Sequence, residues 1–176
     1  MERLWAPWRM AYIAPTDPKN SDAPPTRPPG CIFCDFPAEN NDAARFIVQR
    51  GETCFAILNA FPYNNGHLMI VPYRHVSHLA DLAPGEQAEL LVLASRMTTA
   101  LETISRPDGY NLGMNLGGAA GAGIADHLHL HVVPRWSGDT NFMPVIGGVK
   151  VLPESLEQVH AKLVAVLETL PNAPAE

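Results

Sequence analysis

The chain of 176 residues contains no apolar run approaching the roughly 18 residues of a membrane span. Its N-terminal stretch MERLWAPWRMAYIAP is interrupted by Glu2, Arg3, Arg9 and prolines, unlike a secretory leader, so the expected location is the cytoplasm. Cysteine is scarce: three residues, an odd number, do not make a disulfide framework. Positive charge is scarce too. Twelve Lys and Arg against eighteen Asp and Glu leave a net charge of −6, which argues against broad attraction to nucleic acid or to an anionic membrane surface. Any phosphate-bearing ligand must be held by a specific local site.

What is present is a chain able to bury a core. Its hydrophobic fraction is 47%, its length suits one domain, and its 17 prolines and 13 glycines imply long irregular connections. Residues 14–30 hold many of those prolines and read as a surface arm, so the chain divides into an arm over 1–30, a domain over 31–145 and a C-terminal segment with a helix over 146–176. After CIFC, the runs RFIVQR, CFAILNAF and HLMIVPY are short, apolar and broken by Gly51 and PYNNG, the pattern of an antiparallel meander. In APGEQAELLVLASRMTTALETIS the apolar positions Leu90, Leu91, Leu93, Ala94, Met97, Ala100 and Leu101 recur at helical spacing, with Pro84 suited to the first turn. There follow GYNLGMNL, a Gly/Ala loop GGAAGAGIAD, a histidine-rich strand and a final helix around PESLEQVHAKLVAVLETL. Strands with an inserted helix predict an α+β fold with an antiparallel sheet.

The chemistry concentrates in ADHLHLHVVPRW. In a strand, residues two apart lie about 6.7 Å apart on the same face, so His127, His129 and His131 share one face and Leu128 and Leu130 point to a core on the other. Three imidazoles in a row suggest a metal site or a nucleophile with helpers. CIFC supplies a second signal, since Cys-x-x-Cys spacing lets Cys31 and Cys34 bind one tetrahedral zinc if two further ligands come from elsewhere. His75 or His78 and one member of the triplet are the candidates. A redox dithiol is the rival, although the pair reads as lying in a loop without a strand-to-helix pattern around it. Cys54 falls inside an apolar strand and reads as buried.

HLHLHVV resembles the signature of the histidine triad superfamily of nucleotidyl hydrolases and transferases. The resemblance runs from about Cys31 to Asn141. The segments LWAPWRMAYI, LNAFPYNNGHLMIVPYRH, SRPDGYNLGMNLG, HLHLHVVPRWSGDTNF and IGGVKV are similar to the bacterial branch that includes diadenosine tetraphosphate phosphorylases. The resemblance implies a five-stranded antiparallel sheet flanked by helices, assembled as a homodimer. It makes His129 the nucleophile that attacks an α-phosphorus and forms a nucleotidyl-histidine, a role suited to a neutral ring nitrogen near pH 7. It places His131 on the phosphate oxygens, His67 near the phosphates, Asn59 on the ribose hydroxyls and Asn115 within reach of the phosphates.

The same resemblance implies a structural zinc held by Cys31, Cys34, His75 and His127, with His78 competing for the third place. The loop from Gly117 to Asp126 can offer backbone N–H groups to phosphate. Here the chain departs from the pattern, carrying Gly123 and Ile124 where many relatives have Ser, Thr or Gln. Arg135 and Lys150 are candidate phosphate or subunit contacts. The implied reaction is cleavage of a dinucleoside polyphosphate, with inorganic phosphate as acceptor giving ADP and ATP from diadenosine tetraphosphate. Water as acceptor, releasing AMP, is the alternative, and a zinc-stabilised nucleotide-binding module without turnover is a second.

Overall fold

The structure is a computed structural model that describes residues 30–171, so most of the arm lies outside the described residues. Its elements are α1 (Ile32–Ala38), α2 (Asp42–Arg45), β1 (Ile47–Arg50), β2 (Cys54–Leu58), β3 (Leu68–Pro72), α3 (Pro84–Ser105), β4 (Gly109–Gly113), β5 (Leu130–Arg135), α4 (Met143–Gly147) and α5 (Leu156–Thr169). The strands form one five-stranded sheet in the order β1-β2-β3-β5-β4. Every neighbouring pair is antiparallel. The expected α+β fold is the observed one.

Both faces of the sheet are covered, which is why β2 and β3 read as continuous apolar runs rather than alternating ones. On one face, Ala56, Leu58, Leu68, Ile70, Leu130 and Val132 pack against α3 and α5. Helix α3 turns Leu90, Leu93, Ala94, Met97, Ala100 and Leu101 inward, whereas Leu91 of the expected set is exposed because it falls off that face. It opens with Pro84 in its first turn and with the Glu86 carboxylate accepting the Ala83 N–H at 2.7 Å. Helix α5 is capped reciprocally by Ser155 and Gln158 and buries Val159, Leu163 and Leu167 in the same core, so the C-terminal segment is integral to the sheet domain.

The opposite face carries a smaller cluster in which Phe33 of α1 meets Ile47, Phe55, Ile57, Met69 and Val71. His131 pairs across the sheet with Met69 and therefore lies on this face. The leucine side of the triplet points to the larger core as expected, with Leu128 and Leu130 both buried. The sequence reading had put Cys31 and Cys34 in a loop. The structure instead starts α1 at Ile32, immediately after Cys31, and places Cys34 within it. That helix has seven residues with Pro37 inside, too short for a periodic signal, and Phe33 anchors it. The short helices α2 and α4 escaped the reading for the same reason.

Candidate active site and metal centre

The turn between β2 and β3 delivers the first of the site histidines. Gly66 takes the left-handed conformation there, φ +74°, and a Cβ at this position would meet a Leu101 side-chain carbon at 2.8 Å. His67 follows, fully buried. Its Nδ1 accepts the Tyr63 N–H at 3.0 Å, so the ring proton sits on Nε2, which donates to His131 Nδ1 at 2.9 Å. His131 must then carry its own proton on Nε2. That Nε2–H is buried and has no hydrogen-bond partner among the described residues.

His129 is fixed by the opposite tautomer. Its Nδ1–H donates to the His127 carbonyl at 2.8 Å, leaving the lone pair on Nε2. Burial lowers its pKa, opposed by that backbone bond. Burial likewise takes His131 down to about 4, with His129 adding repulsion, and His67 down to about 3, with repulsion from His131, His129 and Lys150 behind it. All three rings are therefore neutral near pH 7. The Phe33 ring lies 5.1 Å from the His129 ring, and Tyr63 lies 4.5 Å from His67 and 5.5 Å from His131.

His127 belongs to a different constellation. Its Nε2–H donates to the Pro72 carbonyl at 2.9 Å, so Nδ1 is an unprotonated lone pair. Around that lone pair lie Cys31 Sγ at 3.3 Å, His75 Nδ1 at 3.2 Å and Cys34 Sγ at 3.6 Å. Cys34 Sγ and His75 Nδ1 are 3.5 Å apart. One nitrogen cannot hydrogen-bond with three such neighbours at once, and the four ligand atoms, all within 4.8 Å of one another, form a group able to hold a metal ion. Cys31 and Cys34 are not joined in a disulfide. His78 is exposed, precedes the short helical turn Leu79–Asp81 and is not in the group.

Two cavities flank His131. The larger, about 690 Å³, has apolar walls from Phe33, Phe36, Ile57 and Met69, and brings together His129, His131, Asn59 and Gly123. Asn59 also serves its turn, its Oδ1 accepting the Phe61 N–H at 2.9 Å. The smaller, about 480 Å³, has a mixed lining in which Asn111, Asn115, His131, Arg135 and Lys150 alternate with apolar residues such as Leu112 and Val133. Among the sequence candidates, Asn115 thus falls on the second cavity, not beside Asn59 and Gly123. His67 sits behind His131, fully buried, with its Nδ1 accepting the Tyr63 N–H and its Nε2 facing His131. Arg135 is likewise occupied, bound to Asp139 at 2.5 and 2.9 Å and to Asn111 Oδ1 at 2.8 Å. Sequence reasoning missed Phe33 and Tyr63 as parts of the site. The only signals were their positions inside CIFC and inside the PYNNG turn.

The sequence model of the HIT domain matches residues 40–138, more than half of the chain. The chain belongs to the HIT domain family. Within it, the chain is 46% identical to the AP-4-A phosphorylase of Mycobacterium tuberculosis (strain ATCC 25618 / H37Rv) over 166 residues, covering 93% of this chain and 83% of that relative. It is 30% identical to an uncharacterised HIT-like protein of Saccharolobus solfataricus, over 81% of this chain and 99% of that one. In structure it resembles a zinc-bound histidine triad family protein from Mycobacterium smegmatis, with a TM-score of 0.65, 29% identity, and coverage of 80% of this chain and 94% of that one. The five-stranded HIT sheet carries two separate constellations here, a Cys/His group able to hold a metal ion that includes His127, and the pair His129 and His131 beside the larger cavity.

Proposed function

We propose that this HIT protein cleaves dinucleoside polyphosphates by nucleotidyl transfer through His129, and that inorganic phosphate is the acceptor. The observation that carries the reading is the pairing of two locked tautomers beside one cavity: a lone pair on His129 Nε2 and an unpartnered donor on His131 Nε2. The first is a nucleophile for an α-phosphorus, and the second stabilises negative charge developing on a phosphate oxygen in a site that excludes water. The apolar cavity suits a nucleoside, with the Asn59 side chain at its ribose and Gly123 allowing close backbone approach to phosphate. His67 contributes by orienting His131. The 46% identity to a protein named AP-4-A phosphorylase supports diadenosine tetraphosphate as substrate and ADP plus ATP as products.

Zinc is the metal we assign to Cys31, Cys34, His75 and His127. A tetrahedral zinc with bonds of about 2.3 Å to sulfur and about 2.05 Å to nitrogen has S···N edges of about 3.6 Å and N···N edges of about 3.4 Å. The observed separations of 3.2–3.6 Å fit these edges. The Pro72 carbonyl fixes the tautomer that ligation requires. A zinc there supplies a cross-link: it ties α1, which walls the larger cavity through Phe33 and Phe36, to β3 and β5. We further propose a cytoplasmic homodimer. The absence of a membrane-crossing helix among the described residues supports the first part, and the unpaired edge of β4 supports the second.

The acceptor is tested by product analysis. Incubating the protein with diadenosine tetraphosphate and inorganic phosphate should give ADP and ATP, and omitting phosphate should slow cleavage strongly. AMP and ATP formed at equal rates with and without phosphate would make the protein a hydrolase.

A further inference from the structure

Tyr63 and His131 are the two residues that line both cavities. The Tyr63 ring lies 4.5 Å from His67 and 5.5 Å from His131, tilted against them by 43° and 30°, so its inner face covers both imidazoles while the residue as a whole stays half exposed. Its turn is pinned to the end of the strand that bears His131. There the Asn64 side-chain amide donates to the Pro134 carbonyl at 3.1 Å and to Asp139 Oδ2 at 2.9 Å. The Tyr63 hydroxyl makes no hydrogen bond among the described residues, so the ring acts here as an apolar surface.

The hydrogen bonds beneath that ring run one way. The Tyr63 N–H donates to His67 Nδ1, His67 Nε2–H donates to His131 Nδ1, and His131 keeps its own proton on Nε2. A backbone N–H cannot become an acceptor, so the chain cannot reverse. A proton added to His131 Nδ1 would face the His67 Nε2–H, donor to donor, across 2.9 Å. Moving the His67 proton to Nδ1 would create the same conflict with the Tyr63 N–H. From this geometry we infer that Tyr63 is a positioning residue for His131: its N–H is the fixed end of a one-way donor chain through His67, and its ring seals that chain from the water of both cavities. Water would relax the chain, because it can accept the displaced His67 N–H and solvate a charged imidazole. The charged and titratable groups facing the pair do not replace it. Lys150 on the smaller cavity and His129 on the same strand are repulsive, Asp139 is bound to Arg135, and Arg45 on the larger cavity is bound to Glu39. That the sealed donor serves a substrate oxygen rests on the proposed transfer through His129; the chain and its cover do not.

The test uses the full chain with isotope-labelled histidine and the substitutions Tyr63→Phe, Tyr63→Ala and Tyr63→Ser. All three keep the backbone N–H and so vary the cover alone. NMR of the ring nitrogens reports the tautomer and the protonation of each imidazole. In the parent, His67 and His131 should both carry their proton on Nε2 and stay neutral at about pH 5.5, where an exposed imidazole is mostly charged. Tyr63→Ala should raise the His131 titration midpoint by about one pH unit or more, whereas Tyr63→Phe should match the parent. Tyr63→Ser gives the same reading if Tyr63→Ala does not fold. An unchanged midpoint in the small-residue variant removes the ring from the chain's protection, a midpoint raised equally in Tyr63→Phe contradicts an apolar cover, and a His131 proton on Nδ1 in the parent overturns the chain. With diadenosine tetraphosphate and phosphate, kcat should fall at least about tenfold in Tyr63→Ala and recover in Tyr63→Phe, since admitted water competes for the bond that aims His131. Equal kcat in parent and Tyr63→Ala contradicts the positioning role. A parent without turnover would remove the proposed reaction, while the ring-nitrogen titrations would still decide what Tyr63 does.

Discussion

At the scale of single residues, the site works by assigning one proton to each imidazole. Backbone groups do this: the Tyr63 N–H for His67, the His127 carbonyl for His129 and the Pro72 carbonyl for His127. His131 takes its tautomer at second hand from His67. This arrangement has a consequence for pH. His67 and His131 are held in the fold at about 3 and about 4, below the usual histidine value near 6.5, chiefly by burial. As pH falls below 6.5 the unfolded chain takes up protons that the folded chain refuses, so stability declines with acidification. Urea unfolding at pH 7.5 and at pH 5 should show that loss in the parent, and His67→Gln should show a smaller one because the refused proton is gone. An equal loss in both would mean that His67 is protonated in the fold.

The same residues show what a sequence can disclose. His127, His129 and His131 announced themselves, because alternation in a strand is a local pattern. The split of roles among them was suggested by resemblance. The contact of His67 with His131 spans 64 positions, and neither propensity nor spacing encodes it. The sequence therefore held no sign of the bond between His67 and His131 that the fold makes.

At the scale of elements, α3 was legible from end to end, since Pro84–Ser105 keeps a helical period over many turns and has a clear first-turn proline. Helix α1 was illegible. Seven residues hold too few repeats, and what fixes α1 is tertiary: Phe33 in the smaller core and the convergence of Cys31 and Cys34 on His75 and His127. Because α1 is also a wall of the larger cavity, its anchoring carries a prediction. Cys31→Ser should reduce zinc from about one ion per chain, measured by metal analysis of purified protein, and lower the thermal midpoint. It should also weaken nucleotide binding by loosening the Phe33 and Phe36 wall. His75→Ala should release metal and His78→Ala should not, because only His75 reaches the group. Metal-free parent protein of undiminished stability would remove zinc from the account.

At the scale of the whole molecule, the antiparallel sheet separates two tasks. One face gives the fold its larger core through α3 and α5; the other presents His129 and His131 to the larger, apolar cavity, and His131 also to the smaller one of mixed lining. The acidic net charge argues against a broad basic surface, so the proposed anionic substrate has to be matched by local groups of the site. The central claim is that His129 becomes covalently nucleotidylated. It is tested most directly by mixing the protein with diadenosine tetraphosphate in phosphate-free buffer, quenching in base to preserve the P–N bond, and weighing the intact chain by mass spectrometry. The account predicts one adenylyl group per chain, mapped to His129 and absent in His129→Ala. Turnover without any adduct, or an adduct that persists in His129→Ala, would contradict it.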